Sequence, residues 1–278
     1  MKKFEKIVIA TDLDGTFFSS EARLVERNLR AVKYFTDNGG HFTIATGRFP
    51  YHVRFVFSNV EEYVNMPAAT CNGSCIYDFS KNEELSSRMI PSELMVELER
   101  YVTGEEPSAA LRASSTEHYF TCTPEGLNNP YVRMEFDRIE DSAKTTLPVD
   151  EWLGKKFYKT VIRADEEVIN RLKPKVAERF RGRLYVTQSA KTLIDIQLAG
   201  CDKGKGLREL IGNVLGEGYT LYTCGDYIND LEMHAAADVS VCPSNAHPDV
   251  KAVCKLCFGT NDDGLIADLV EYLDRTVE

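Results

Sequence analysis

Nowhere in the 278-residue sequence does an uninterrupted apolar run approach the ~18 residues that a membrane-crossing helix needs. The opening MKKFEKIVIATDLDG is basic, but its apolar stretch ends at Ala10, too short for a secretory signal and without a cleavage site. A cytoplasmic protein without membrane contact is the expectation. Positive charge is scarce as well: 33 Lys and Arg face 43 Asp and Glu, a net charge of −10 that works against non-specific nucleic-acid binding. Eight cysteines are too few for a disulfide scaffold, and a reducing compartment would keep them as thiols. Asn72-Gly73-Ser74 matches a glycosylation acceptor, which without export is accidental. The single tryptophan, Trp152, reads as a packing residue, and none of the five histidines sits in a catalytic pattern.

What is present is ordinary globular material. A 43% hydrophobic content with 14 Phe and 13 Tyr excludes wholesale disorder, and the length suits about two domains. Lys6–Thr11 and His41–Ala45 are short β-branched or apolar runs, separated by a helical pattern over Glu21–Asn38 that closes on Gly39-Gly40. A helix is predicted from about Pro50, and Ala68–Tyr77 holds one or two strands around the Asn72-Gly73 turn. Leu221–Cys224 and Val239–Cys242 are again strands, and Gly264–Leu273 is a terminal helix. Strands alternating with helices predict a parallel sheet. The middle differs. It offers helices at Pro91–Val102 and Asp165–Phe180, strands at Tyr131–Phe136, Lys156–Arg163 and Leu184–Thr187, and a polar stretch over Thr103–Asn129. Residues 84–187 carry 16 basic and 18 acidic residues, so most of the acidic excess lies in the flanks. The pattern is one α/β domain interrupted by a second.

Four segments carry chemistry. Asp12-Leu13-Asp14-Gly15-Thr16 follows the first strand, and in open α/β sheets reactive groups gather beyond the carboxyl ends of strands. Two carboxylates there can share a divalent cation, attack an electrophile or move protons, although the same residues also suit a helix cap or a turn. Ala45-Thr46-Gly47-Arg48 ends another strand with a hydroxyl and backbone amides suited to an anion. Asp202-Lys203-Gly204 offers a compact positive charge, and Gly225-Asp226-Tyr227-Ile228-Asn229-Asp230 more carboxylates. Gly200–Lys205 lacks the Gly-Lys-Ser/Thr ending of a P-loop. Cys254-Lys-Leu-Cys257 and Cys71-Asn-Gly-Ser-Cys75 are weak as metal or redox motifs and are read as structural.

In order, DLDGT, ATGR, DKG and GDYIND resemble the four motifs of the haloacid dehalogenase superfamily of phosphohydrolases, specifically its Cof-type branch (subfamily IIB). The resemblance implies an α/β fold: a Rossmann-like parallel-sheet core with an inserted α/β cap that closes over the site and meets the rest of the substrate. With the composition shift, this places the core at residues 1–83 and 188–278 and the cap at 84–187. It further implies a Mg²⁺-dependent phosphatase of small phosphorylated metabolites, sugar phosphates first, with no protein partner. By the same resemblance, Asp12 is the nucleophile that becomes an aspartyl-phosphate, and Asp14 protonates the leaving alcohol and then activates water. Mg²⁺ is held by Asp12, the Asp14 carbonyl and Asp226, with Asp230 orienting a metal-bound water. Thr46, Lys203 and Asn229, with amides near Leu13 and Gly47, hold the phosphoryl oxygens, and Arg48 approaches substrate or cap. Acid catalysis by Asp14 requires its pKa to lie well above that of Asp12. The alternatives are a phosphomutase using the same chemistry, or a non-catalytic phospho-acceptor or binding protein.

Overall fold

The computed structural model describes residues 2–277. The first part of the chain runs β1 (Ile7–Thr11), α1 (Glu26–Asp37), β2 (His41–Ile44), α2 (Pro50–Val56), β3 (Ala68–Thr70), β4 (Cys75–Asp78) and β5 (Glu83–Ser87). The middle runs α3 (Ser92–Glu105), β6 (Ala110–Ser115), β7 (Phe120–Cys122), α4 (Pro130–Arg138) and β8 (Lys144–Thr146). It continues with β9 (Phe157–Arg163), α5 (Glu166–Arg179), β10 (Leu184–Ala190) and β11 (Leu193–Leu198). The last part runs α6 (Lys203–Val214), β12 (Thr220–Cys224), α7 (Leu231–Ala236), β13 (Val239–Pro243), α8 (Pro248–Val253), β14 (Leu256–Phe258) and α9 (Leu265–Thr276).

The chain divides into two compact units, one built from residues up to Ser86 together with those from Asp202, the other from Ser87–Cys201. The first unit holds a parallel sheet in the order β14-β13-β12-β1-β2. β1 alternates between two faces, as a strand buried on both sides must. Ile7 and Ile9 pack with Phe42, with Val32 and Phe35 of α1, and with Leu269 and Leu273 of α9. Val8 and Ala10 meet Leu207 and Leu210 of α6 and Met233 of α7. The chain leaves β1 toward β2 on one side and returns through β12 on the other, so the strand order reverses at β1. Such a reversal opens a crevice at the carboxyl ends of the strands. Thr11 is level with Ile44 on one side and Cys224 on the other, which brings Asp12, Ala45 and Gly225 off the sheet together.

The second unit is a six-stranded sheet in the order β10-β11-β9-β6-β7-β8. Leu111, Ala113, Ile162, Ile194 and Ile196 share one apolar cluster with Met95, Leu98 and Val102 of α3 and Ile169, Leu172 and Val176 of α5. Trp152 is fully buried there against Phe157, its indole N–H donating to the Leu147 carbonyl at 3.2 Å.

The structure departs from the sequence-based boundaries in four places, the smallest being the first crossing between units, which falls at Ser86/Ser87 and not at 83/84. The second crossing between units falls at Cys201/Asp202, not at 187/188, because β10 and β11 pair antiparallel with each other and β11 with β9. Tyr131–Phe136 lies in helix α4, not in a strand. Asn129 caps it by accepting the N–H groups of Tyr131 and Val132, and Pro130 occupies the first turn, where its missing N–H costs nothing. The polar stretch Thr103–Asn129 contains β6 and β7, whose small and hydroxylated residues fill a sheet interior.

Glu99 on α3 is buried with only Thr123 donating to it, at 3.3 Å, and burial pushes its carboxyl up to about 7, with Glu125 adding to the effect. An acid that holds its proton more tightly when folded stabilises the fold at low pH and loses that contribution as pH rises. The contribution of Glu99 itself to stability should fall by about 3 kcal/mol between roughly pH 4.5 and 7. Glu99→Gln should flatten that slope in urea titrations across the range, and an unchanged slope would refute the assignment.

Candidate active site

Every residue that the motifs single out lies in the first unit, at the carboxyl ends of its strands or at the start of α6. Asp12 leaves β1 with its N–H donating to the Cys224 carbonyl at 2.8 Å, and its side chain is buried. The chain then turns tightly through Leu13–Phe17, where Gly15 takes a left-handed φ of +72°. A Cβ at Gly15 would lie 2.4 Å from Asp226 Oδ2, so only glycine lets the turn pass beside that carboxylate. The Thr16 hydroxyl donates to Asp226 Oδ1 at 2.7 Å and fixes it from the other side of the turn.

Lys203 is the hub. Its ammonium is buried, 2.9 Å from Asp12 Oδ1 and 2.6 Å from Asp230 Oδ1. The second oxygen of Asp230 accepts the N–H groups of Asp226 at 2.9 Å and Tyr227 at 3.1 Å, so both its oxygens are engaged. Burial alone would lower the Lys203 pKa, but Asp12 and Asp230 outweigh it and hold the ammonium charged. Asn229 is buried one residue before Asp230 in a single turn of 3₁₀ helix.

The loop after β2 is fastened by the β3–β4 hairpin. Thr46 is buried; its N–H donates to Ala69 and its carbonyl accepts from the Asn72 N–H, both at 2.9 Å. The Arg48 N–H donates to the Thr46 hydroxyl at 3.1 Å, so Gly47 sits in a closed turn between them. A Cβ at Gly73, in the hairpin tip, would come within 2.2 Å of the Asp202 carbonyl, which shows how closely that tip approaches the start of α6.

Asp12, Asp226 and Asp230 each offer an oxygen, all within 4.8 Å of one another. Burial first, then the neighbouring carboxylates, hold Asp12 well above the usual carboxylate range despite Lys203. Burial and Asp230 push Asp226 up to about 7 against the relief given by Thr16 and Lys203. Three crowded carboxylates around one ammonium leave an excess of buried negative charge, and an all-oxygen donor set suits a hard divalent cation. The residues fit such an ion.

Asp14 stands apart from this cluster. Arg48 grips its carboxylate with two nearly parallel bonds, Nε to Oδ2 at 2.7 Å and Nη2 to Oδ1 at 2.5 Å, and Nη1 of Arg48 lies 2.9 Å from the ring of His52. Burial would raise the Asp14 pKa, but the Arg48 hydrogen bond and charge outweigh it, and the carboxyl lies below the usual range. This reverses the order expected from the sequence, with Asp12 now the higher of the pair. The cause is the ion pair, formed across 34 residues of chain. Thr16 and His52 were not assigned roles from the sequence. Thr16 lies within the DLDGT motif and could have been found there, whereas nothing in the sequence pairs His52 with Arg48.

A reversed strand order brings carboxylates, a lysine and a threonine-bearing loop together at its crevice, a donor set suited to phosphoryl chemistry. Comparison with known proteins makes the protein a phosphoric monoester hydrolase. The chain belongs to the haloacid dehalogenase-like hydrolases, whose family model matches residues 9–270, and within them to the Cof-type branch. It is 25% identical to the 5-amino-6-(5-phospho-D-ribitylamino)uracil phosphatase YwtE of Bacillus subtilis, over 95% of this chain and 97% of that protein. It is also 25% identical to the pyridoxal phosphate phosphatase YbhA of Escherichia coli, again over 95% and 97%. Its fold is similar to that of the subclass IIB sugar phosphatase BT4131, with a TM-score of 0.79 at 19% identity over 96% of this chain and 99% of that one.

Proposed function

We propose that the chain hydrolyses phosphate monoesters of small metabolites through an aspartyl-phosphate on Asp12, with Mg²⁺ held by Asp12, Asp226 and the Asp14 carbonyl. The observation that carries this reading is the buried Lys203 ammonium bridging Asp12 and Asp230 beside Asp226. A phosphate dianion approaching a bare carboxylate is repelled by about 4 kcal/mol at 4 Å and an effective dielectric near 20. Lys203 lowers that repulsion at the nucleophile and faces the oxygens on which charge develops. Mg²⁺, held by those oxygens, would supply further neutralisation of the transferring group. Asp230, with both oxygens engaged, positions Lys203 and the Asp226 backbone. Thr46, Asn229 and the amides of Leu13 and Gly47 hold the remaining phosphoryl oxygens.

Asp14 then protonates the leaving alcohol and draws a proton from the water that opens the acyl phosphate. Its ion pair with Arg48 keeps it a carboxylate in the free enzyme, so Arg48 must let go before Asp14 can act as an acid. The relatives named above act on phosphates of a ribityl compound and of pyridoxal. The class we favour is a phosphorylated sugar or sugar alcohol.

A panel of sugar and polyol phosphates assayed for free phosphate, with and without Mg²⁺, tests this reading. Release that depends on the metal supports it; transfer of the phosphoryl group to a second hydroxyl without free phosphate would replace it with a mutase. Arg48→Gln gives a second check. Losing the ion pair raises the Asp14 pKa, and the form that must be protonated then persists to higher pH. Because Asp14 is the lower of the pair, its pKa sets the acid limb of kcat/KM, which reports the free enzyme, and that limb should move upward in pH. A profile that keeps its position would break the link between Arg48 and Asp14.

A further inference from the structure

Away from this site, three of the eight free thiols meet at the edge of the parallel sheet. Cys242 on β13 is directly opposite Cys257 on β14, the outermost strand. Neighbouring strands stand about 4.8 Å apart, inside the Cα separation of roughly 4.4–6.8 Å that a disulfide accepts. Opposite residues on parallel strands also point to the same face. Cys254 ends α8 and packs on the cluster of Cys242, Ala246 and Val250. Cys242 is wholly buried, whereas Cys257 is exposed. An accessible thiol thus sits opposite a sheltered one on the neighbouring strand. Cys71 and Cys75, four residues apart at the β3–β4 turn, are both buried and offer no such entry.

We propose that Cys257 and Cys242 are a reversible thiol–disulfide site. The Cys257 thiolate attacks an external small-molecule disulfide, forming a mixed disulfide and releasing one small thiol. Cys242 then attacks the Cys257 sulfur, closing the protein disulfide and expelling the second small thiol. Two protein thiols are oxidised and one external disulfide is reduced to two thiols, which carry away the two protons. Burial and the neighbouring Cys242 hold the Cys257 thiol above its usual pKa, so the first step accelerates as pH rises. Cys254, packed on the same cluster, is the other thiol that could compete for Cys242.

The test uses the folded full chain exposed to oxidised glutathione from pH 7 to 9, then alkylated, digested and mapped by mass spectrometry. The expected product is a Cys242–Cys257 linkage, reversed by dithiothreitol, formed faster at higher pH and on the order of tenfold more abundant than any Cys71–Cys75 linkage. Cys257→Ser, at an exposed position, should remove it, while Cys254→Ser should leave it intact. Absence of the linkage in the native chain, its survival of Cys254→Ser only at the level of Cys71–Cys75, or a yield that falls with pH would overturn the proposal.

Discussion

Asp12→Asn should cost about 10⁴-fold or more in kcat while leaving the protein folded, because an amide of the same shape cannot displace an alcohol from phosphorus. The two effects separate cleanly here. Asp12 lies in a cluster with more buried carboxylates than cations, and its own carboxyl is held well above the usual range by burial and by Asp230, Asp14 and Asp226. Removing that charge leaves Lys203 paired with Asp230 at 2.6 Å. The variant should therefore melt no lower than the parent in metal-free buffer, and phosphate release and melting curves on the same sample check both halves. Residual turnover above about 1% of the parent would remove Asp12 from the nucleophile's role. A large fall in melting temperature would mean that the cluster is structural first.

Lys203→Met should produce the opposite pairing, losing both activity and stability. The methionine fills most of the volume of the lysine stem, but it strands Asp12 and Asp230 without their shared cation. Breaking a buried ion pair from one side costs about 3–5 kcal/mol. The sign with pH follows from the stranded acids. With Lys203 gone the folded pKa of Asp12 climbs further above its unfolded value, so the folded variant binds extra protons and regains stability as pH falls. Added Mg²⁺ should return part of the loss by binding the folded form alone. Urea titrations near pH 5 and pH 8, with and without the metal, read all three trends. A variant as stable as the parent at pH 8 without Mg²⁺ would show that Lys203 does not hold the carboxylates together.

Much of this site could be read in the sequence because its parts are short and local. DLDGT, ATGR, DKG and GDYIND each sit at a strand end or a helix start, and a parallel sheet brings such ends to one edge whatever the rest of the chain does. What could not be read depends on contacts between distant segments. The Arg48–Asp14 pair joins two loops and reverses the expected acidities, and neither loop alone announces it. The alternating Tyr131–Phe136 pattern imitates a strand, and the deciding signal lay just upstream, in Asn129 as cap and Pro130 in the first turn. β11 falls in the 188–278 stretch that the sequence reads as core, and only its antiparallel pairing with β9 and β10 makes it part of the second unit's sheet.

The place of β1 between β2 and β12 sets an order of events during synthesis on the ribosome. The central strand cannot gain its second neighbour until residues 220–224 have emerged, more than 200 residues after Asp12. Contacts of such sequence separation carry a high closure entropy and form late. The inserted unit, with its own apolar cluster, is by then complete and free to fold as a body. Until β12 arrives, one hydrogen-bonding edge of β1 stays unpaired, and the face carrying Val8 and Ala10 still waits for α6 and α7. For the nascent chain this is the interval of greatest need for a chaperone, and it ends when the last third of the sequence supplies β12, α6 and α7 together.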